Sequence, residues 1–127
     1  ALSGGTLTVN GTSSLDTISL NQSGGGISVV GNGRTVSGSP FNGVKRIVVH
    51  GLDGDDRIDG SGVSTALSLF GGNGNDAIIG GFGVDDLHGE GGDDTLTATD
   101  GVADALVDGG AGNDTIRKDR VDPASGT

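Results

Sequence analysis

From residue 51 onward, apolar residues recur at a fixed distance after an aspartate. The residue two places after the aspartate is Ile58, Ile78, Leu87, Leu96 or Ile116. The residues around it alternate in polarity, as in Thr95-Leu96-Thr97, which predicts a short strand with one face inward. Glycines precede each aspartate and predict a turn, because glycine accepts positive φ and close backbone approach. Each copy is therefore predicted to be a turn followed by a short strand.

The copies have a period of nine residues, with the pattern Gly-x-x-Gly-x-Asp-x-apolar-x. Three units follow one another without a gap at 71–79, 80–88 and 89–97, a fourth lies at 109–117, and a looser one at 51–59. A fixed short period indicates a coil of stacked turns, each contacting only its neighbours. No stretch has helical spacing with capping residues, so we predict an all-β protein.

Two irregular segments interrupt the period, at 60–70 and 98–108, and each is two residues longer than a unit. In the first, Leu67 and Leu69 alternate inward, which places Thr65 where the aspartate is expected. In the second, alignment of Asp104 and Leu106 with the pattern makes 99–107 a degenerate unit that has lost its glycines.

The first fifty residues match the period only faintly but indicate further β structure. Strand candidates are Thr6–Val9, Ile27–Val30 and Val44–Val49, and the dipeptides Asn32-Gly33 and Asn42-Gly43 predict turns. Residues 11–19 keep the Gly, Asp and Ile spacing of the unit without its inner glycine. We therefore expect one domain over 1–127, with an N-terminal capping β section at 1–50, the repeats at 51–117 and a polar C-terminal tail at 118–127.

Composition narrows the range of partners. Glycine accounts for 28 of the 127 residues, aromatic residues for 2 %, and the net charge is −10. An acidic chain is a poor partner for nucleic acid, which needs clustered Lys and Arg, and for anionic membranes. No apolar run approaches the length of about 18 residues that crosses a bilayer, so we expect no membrane insertion. The chain has no cysteine and therefore no disulfides. Cations are the expected partners.

The units resemble the calcium-binding nonapeptide repeats of RTX proteins. The resemblance covers residues 51–117, about half of the chain. It implies a right-handed parallel β-roll or β-solenoid with calcium-binding Gly- and Asp-rich turns, in which two units make one turn of the coil. Alternate units then lie above one another on the same side.

The resemblance further implies calcium ions between alternate units, held by aspartates and by backbone carbonyls of the loops. One side would carry Asp56, Asp76, Asp94 and Asp114, with Asp16 as a distant member, and the other Thr65, Asp85 and Asp104. The expected sites lie between Asp56 and Asp76, Asp76 and Asp94, Asp94 and Asp114, and Asp85 and Asp104, which makes three to four ions. The glycines expected to free carbonyls are Gly72, Gly74, Gly81, Gly83, Gly110 and Gly112.

Calcium suits such loops because it takes six to eight oxygen ligands and accepts carbonyls beside carboxylates. Magnesium gives up its waters reluctantly, and zinc prefers Cys and His, which are absent or scarce here. Glu90 stands at the second position of its unit, where the units at 71–79, 80–88 and 109–117 have glycine, so the sequence does not predict a carbonyl ligand from that position.

Other residues near the units have ordinary explanations. Asp55, Asp86 and Asp93 are expected to be solvated, His50 and His88 to lie on the surface, Phe70 to pack and Phe82 to plug a loop. The less favoured alternative is that Phe70 and Phe82 are platforms on which sugars stack.

Three functions are compatible with these features. The favoured one is an extracellular, secreted or cell-surface calcium-binding structural protein, in its finer form the subunit of a filament or surface layer that assembles by strand addition or end-to-end stacking. The alternative is a calcium-dependent secretion and folding module of a larger secreted enzyme or adhesin. An enzyme acting on polysaccharide is the least favoured, because the carboxylates are assigned to cations and no nucleophile, base and acid combination is visible.

Overall fold

The computed structural model describes residues 2–24, 26–32, 34–35, 41–98, 106–118 and 124–125, and their regular elements are all β-strands. The strands are β1 (Leu2–Ser3), β2 (Thr6–Asn10), β3 (Thr17–Ser23), β4 (Gly26–Gly31), β5 (Arg34–Thr35), β6 (Arg46–His50), β7 (Arg57–Gly62), β8 (Ala66–Phe70), β9 (Ala77–Ile79), β10 (Asp86–His88), β11 (Thr95–Ala98), β12 (Leu106–Asp108), β13 (Thr115–Lys118) and β14 (Ala124–Ser125). Within these ranges no helix is long and apolar enough to cross a membrane.

The strands form two sheets of seven strands each. One sheet has the order β1-β2-β6-β8-β10-β12-β14 and the other β13-β11-β9-β7-β3-β4-β5. From β6 onward, successive strands alternate between the two sheets, and every pairing among them is parallel. Consecutive units therefore lie in different sheets, and alternate units stack, which confirms the prediction of an all-β fold built from parallel strands.

The register aligns the apolar position of each unit with that of the next unit in the same sheet. Ile58 pairs with Ile78, and Leu96 pairs with Ile78 and Ile116. In the other sheet Leu87 lies between Leu69 and Val107. A one-residue slip would turn each of these side chains to the opposite face, so their burial specifies the register.

The two sheets share one hydrophobic cluster. The buried apolar side chains from both sheets belong to a single core that runs from Leu7 to Val107. Ile58, Ile78 and Leu96 have 0 % relative exposure. The repeats bury about one large side chain per strand, and each contributes about 1.5–3 kcal/mol. Because this core is small, the stability of the fold depends strongly on the interactions of the loops.

The N-terminal strands combine parallel and antiparallel pairing. β2 and β3 continue the two sheets in parallel with β6 and β7. β1 pairs antiparallel with β2, while β4 and β5 extend the edge beyond β3 in antiparallel fashion. The strand predictions for Thr6–Val9, Ile27–Val30 and Val44–Val49 are thus confirmed within two residues.

Two alignments in the irregular segments are wrong. Ser68 pairs with Asp86, so Leu67 and not Thr65 stacks on Asp85. Leu69 pairs with Leu87, and both Leu67 and Leu69 are fully buried, so this longer strand buries two large side chains where a regular unit buries one.

The second misalignment concerns Leu106, which was expected in the inward apolar position. Val107 takes it instead, pairing with Leu87 and fully buried. Asp104 lies outside the described residues, so its expected role as a calcium ligand stays a prediction.

Candidate metal centre

A column of aspartates runs along one side of the coil, formed by Asp16, Asp56, Asp76, Asp94 and Asp114. The backbone N–H of each donates to Oδ1 of the next, at 2.8 Å from Asp16 to Asp56, 2.7 Å from Asp56 to Asp76, 2.8 Å from Asp76 to Asp94 and 2.8 Å from Asp94 to Asp114. The predicted members of this side are therefore brought together, and Asp16 joins them.

The second carboxylate oxygen of the column is buried without a partner. Oδ2 of Asp56, Asp76, Asp94 and Asp114 has no hydrogen bond. A buried polar atom that lacks a partner costs about 1–3 kcal/mol, and more when it carries charge. Four such atoms in register point to a ligand that supplies positive charge.

Backbone carbonyls converge near these oxygens. A Cβ built on Gly71 would lie 2.5 Å from Oδ2 of Asp76 and 2.9 Å from the carbonyl oxygen of Gly89. The same arrangement recurs one turn later, where a Cβ on Gly89 would lie 2.5 Å from Oδ2 of Asp94 and 2.7 Å from the carbonyl oxygen of Gly109. The first glycine of the units at 51–59, 71–79 and 89–97 thus leaves a side-chain-free space bordered by a carboxylate and a carbonyl oxygen.

The glycines at the fourth and second positions of the units also lie against backbone carbonyls of the preceding turn. Gly74 has φ +116°, and a Cβ on it would be 2.2 Å from the carbonyl oxygen of Gly54. Gly112 repeats this against Gly92, at 2.1 Å. At the second position a Cβ on Gly72 would be 2.2 Å from the carbonyl of Leu52, and one on Gly110 2.3 Å from that of Glu90. At each of these four glycines a side chain would therefore clash with the preceding turn.

Two loops keep the same backbone without glycine at the second position. Leu52 has φ +73° and Glu90 φ +72°, close to the +89° of Gly72. Such non-glycine residues cost about 1–3 kcal/mol unless the surroundings enforce them. Glu90 therefore preserves the carbonyl direction that the sequence did not predict at this position, although that carbonyl also accepts the N–H of Ala111 at 2.9 Å.

Burial and mutual repulsion disfavour the ionised form of the aspartates in the column. Burial, followed by repulsion from neighbouring aspartates, raises the pKa of Asp76 from 3.8 to about 7, even though its Oδ1 accepts a backbone N–H of Asp56. Burial likewise raises the pKa of Asp56 and of Asp94 to about 6. The carboxylates sit about one strand spacing, roughly 5 Å, apart, so a bound cation would remove both causes.

Asp16 differs from the other members of the column. Burial raises its pKa, but hydrogen bonds from the Asn32 amide and from the N–H and hydroxyl of Thr12 outweigh burial and hold it below 3.8. Its carboxylate is satisfied by the protein.

The opposite side of the coil lacks such a column in the described residues. Asp85 is fully buried, and its Oδ1 accepts the N–H of Leu67 at 3.0 Å while Oδ2 accepts the N–H of Gly81 at 2.9 Å. Gly81 and Gly83 do approach the preceding loop, where a Cβ would lie 2.2 Å from the carbonyl of Val63 and 2.5 Å from that of Ser64. The loops are similar, but Asp85 presents no unpartnered oxygen.

A second ladder, missed by sequence reasoning, runs beside the column at the fifth position of each unit. Oδ1 of Asp55 accepts the N–H of Asn75 at 2.8 Å, Oδ1 of Asn75 that of Asp93 at 2.9 Å, and Oδ1 of Asp93 that of Asn113 at 2.9 Å. Charged and neutral residues alternate, so no two carboxylates are adjacent. Asp55 and Asp93 are exposed as predicted, and the Asp/Asn alternation was the signal in the sequence.

Several neighbouring residues depart from their expected roles. Asp86 is not simply solvated, because its Oδ2 lies 3.1 Å from the Arg46 guanidinium. Phe82 does not plug a loop, since it is 59 % exposed. Phe70 packs as expected, stacked between the rings of His50 and His88 at centroid distances of 5.0 and 4.7 Å. Both faces of its ring are thus covered, which argues against sugar stacking.

The donor set fits a hard, oxygen-seeking cation. Among the described residues no three His, Cys, Asp or Glu side chains converge as a metal-binding group. The oxygens available between turns are paired carboxylates and backbone carbonyls, the mixture that calcium accepts. Zinc would need nitrogen or sulfur ligands that this column does not contain.

Comparison with known families agrees with this chemistry. Residues 48–62, 68–101 and 106–117 match the RTX calcium-binding nonapeptide repeat, in four copies. Searches among curated proteins and among solved structures gave no significant match.

Proposed function

The chain belongs to the RTX calcium-binding nonapeptide-repeat family, and from that premise we propose that it is an extracellular structural protein whose right-handed parallel β-roll is held folded by calcium. The observation that carries the proposal is the row of unpartnered, buried Oδ2 atoms on Asp56, Asp76, Asp94 and Asp114. RTX repeats are typical of secreted proteins, and millimolar calcium outside cells matches the affinity of about 10⁻⁴–10⁻³ M common for extracellular calcium modules.

We assign three ions to the aspartate column, between Asp56 and Asp76, Asp76 and Asp94, and Asp94 and Asp114. Carbonyls from the loops that contain Gly72, Gly74, Gly110 and Gly112 would complete the ligand sets. A fourth site between Asp85 and Asp104, near Gly81 and Gly83, is a weaker proposal because the two oxygens of Asp85 already accept hydrogen bonds. Bound calcium would neutralise the column, and each site would stabilise the fold by about 1–3 kcal/mol at moderate saturation.

Hydrogen bonds within the protein hold the aspartates of the column close together, so bound calcium has to neutralise their charge. The carboxylates approach one another because their Oδ1 atoms pair with backbone N–H groups of neighbouring turns. That arrangement concentrates negative charge that the narrow core offsets poorly. We therefore propose that the repeats at 51–117 stay loose at low calcium and fold on meeting extracellular calcium, while 1–50 act as an N-terminal cap and 118–127 as a polar tail.

Calcium titration followed by circular dichroism, with isothermal titration calorimetry for the ion count, tests this function. The expected result is a cooperative gain of β structure and the binding of about three ions, as the three column sites require. Unchanged spectra and unfolding midpoint after removal of calcium would contradict the proposal. Magnesium at equal concentration should give a much smaller response, because it dehydrates reluctantly.

Self-assembly into a filament or surface layer is the finer form of this proposal. Sheet edges offer unpaired backbone groups to a neighbouring copy. Light scattering and electron microscopy at saturating calcium test it, and a monodisperse monomer would exclude it.

The second candidate is a calcium-dependent folding module of a larger secreted enzyme or adhesin. It is favoured by β13, the last strand of its sheet in the described residues, which carries Arg117 and Lys118. Basic residues on an edge strand discourage edge-to-edge pairing. A parent reading frame that extends upstream of Ala1 would favour the module. We propose no catalytic role for the chain in either case.

A further inference from the structure

The N-terminal end of the aspartate column is closed by side chains. Oδ1 of Asp16 accepts Nδ2 of Asn32 at 2.9 Å, and Oδ2 accepts the backbone N–H of Thr12 at 2.6 Å. The Thr12 hydroxyl donates to the same carboxylate at 3.0 and 3.1 Å. Asp16 is 1 % exposed, so it is as buried as Asp56, Asp76 and Asp94, whose Oδ2 atoms have no partner.

Asn32 reproduces the contacts that a preceding turn would make. Within the column, the peptide of one aspartate donates its N–H to Oδ1 of the next, and its carbonyl accepts the N–H of the residue after that next aspartate. Asp16 does this for Asp56 at 2.8 Å and for Arg57 at 2.8 Å. The Asn32 side chain does the same one turn earlier, because Nδ2 donates to Asp16 and Oδ1 accepts the N–H of Thr17 at 2.7 Å.

The backbone holds Asn32 in this position. Its φ of +52° is a left-handed conformation that asparagine tolerates better than most residues. Its own N–H donates to the carbonyl of Thr17 at 2.8 Å, so Asn32 and Thr17 are joined by two hydrogen bonds. An amide side chain has the donor and acceptor of a peptide group, which is what the missing turn would supply.

The loop of Asp16 also has a different backbone. Thr12 occupies the second position of its unit and does not have a positive φ. The equivalent residues of the other units in the column all have one, namely Leu52, Gly72, Glu90 and Gly110. The N–H of Thr12 instead donates to Oδ2 of Asp16, the aspartate of its own unit. The inner glycine of the other loops is replaced by Ser14.

We propose that Asn32 is a positioning residue that ends the calcium column at Asp56 and keeps the turn at 11–19 folded in the absence of metal. Its amide stands in for the peptide of a preceding turn, and Thr12 stands in for the cation. The repeats would then have a metal-independent template at their N-terminal end. The claim that the calcium column ends at Asp56 rests on the proposed calcium function. The claim that the turn at 11–19 stays folded without metal, the metal-free part of the proposal, does not.

Hydrogen exchange of the full chain in a chelating buffer tests the metal-free part. We expect the amides of Thr17 and Asn32 to exchange at least about tenfold more slowly than those of Ala77 and Thr95, because only the latter depend on neutralised carboxylates. Equal exchange rates at the two groups would overturn the proposal.

Asn32→Gly tests the residue itself, since glycine accepts the positive φ and removes only the side chain. Loss of a hydrogen bond to a charged group should speed Thr17 exchange by about tenfold to hundredfold. Asn42→Gly, the same change at an exposed position of the N-terminal section, should leave Thr17 unaffected. An unchanged Thr17 rate in Asn32→Gly would overturn the assignment.

Asp16→Asn tests where the column ends. Calorimetry with calcium alone should give the same number of ions as the wild type, and the loss of one ion would overturn the proposal. Absence of calcium uptake by the wild-type chain would instead contradict the proposed function, and it would leave the exchange results on Thr17 to decide the role of Asn32.

Discussion

The backbone N–H of Asp76 donates a hydrogen bond to Oδ1 of Asp94 at 2.8 Å, from one turn of the coil to the next in the same sheet. One oxygen of the buried Asp94 carboxylate thus accepts a backbone N–H, while the other, Oδ2, has no partner. The column therefore has two separable properties, a neutral hydrogen-bond ladder and a charged, unsatisfied edge. Substitution by asparagine separates them, because asparagine keeps a carbonyl acceptor and loses the charge.

Asp94→Asn should have opposite effects with and without calcium. With calcium, the free energy of unfolding should fall by about 2–6 kcal/mol, because Asp94 serves two proposed sites worth about 1–3 kcal/mol each. Without calcium, the variant should be more stable than the wild type, because burial and repulsion from Asp114 disfavour the charge. Denaturant unfolding in calcium and in chelator measures both effects.

Asp93→Asn is the matched control for this change. Asp93 is the neighbouring residue and loses the same charge, but it is exposed and belongs to the outer ladder. Its unfolding free energy should change by less than about 0.5 kcal/mol in either buffer. Equal behaviour of the two variants would mean that the column has no special role in calcium binding.

Acid should stabilise the calcium-free protein. The folded-state pKa values of Asp56, Asp76 and Asp94 are raised from 3.8 to about 6, 7 and 6. A raised folded pKa contributes stability that is complete below the unfolded value and is lost as the pH rises through the folded value. The metal-free melting temperature should thus fall from about pH 4 to about pH 7. Thermal unfolding in chelator-treated buffers across this range measures it.

With excess calcium the pH dependence should reverse. Metal binding requires deprotonated carboxylates, so the melting temperature should rise over the same window. Asp16 has a lowered pKa, so its contribution is lost only as the pH falls below about 4. Parallel pH profiles with and without calcium would contradict the assignment of the column as the binding site.

Asp85→Asn should leave the number of bound calcium ions unchanged. Both oxygens of Asp85 already accept backbone N–H groups, from Leu67 and Gly81, so a cation has no unpartnered oxygen to recruit. Isothermal titration calorimetry beside Asp94→Asn measures the difference, since the latter should lose up to two ions. The loss of one ion in Asp85→Asn would instead support the site between Asp85 and Asp104.

Gly92→Ala should destabilise the protein and weaken calcium binding. The residue has φ +102°, and a Cβ would lie 2.1 Å from the carbonyl oxygen of Gly74, so the two turns would have to separate. We expect a loss of more than about 3 kcal/mol, since the clash adds to a backbone strain of about 1–3 kcal/mol. Denaturant midpoints and calcium titration measure the two effects.

Gly24→Ala provides the comparison for that substitution. Gly24 also has a positive φ, of +60°, but a Cβ there would have nothing within 4 Å. It should show only the backbone cost, about 1 kcal/mol, and unchanged calcium affinity. A loss as large in Gly24→Ala would show that strain alone, and not the close stacking of loops, explains Gly92.

The repeat itself made much of the site predictable. A nine-residue period places Asp76, Asp94 and Asp114 in equivalent positions, and stacking then aligns them whatever the details of the loops. Where the period breaks, the prediction failed. In the segments at 60–70 and 98–108, sequence spacing aligned Leu67 and Leu106 with the apolar position of the unit, whereas Leu69 and Val107 are the residues that pair with Leu87. Choosing between them requires the space inside the assembled core, which no local pattern contains.

Sequence alone determined the all-β class, the turn-and-strand unit, the acidic loops and the members of the aspartate column, because a short period repeats the same local chemistry in every unit. Tertiary structure alone decided which carboxylates remain unsatisfied. Asp16, Asp76 and Asp85 occupy the same position of their units, yet only Asp76 keeps an oxygen without a partner. Two of the partners are local, because the N–H of Thr12 and that of Gly81 each donate to the aspartate four residues later, in loops whose second residue lacks the positive φ of Gly72. The third, the Asn32 amide, reaches Asp16 only once the chain has coiled. The spacing of the repeat is the same in all three units, so it does not reveal which backbone conformation each loop takes.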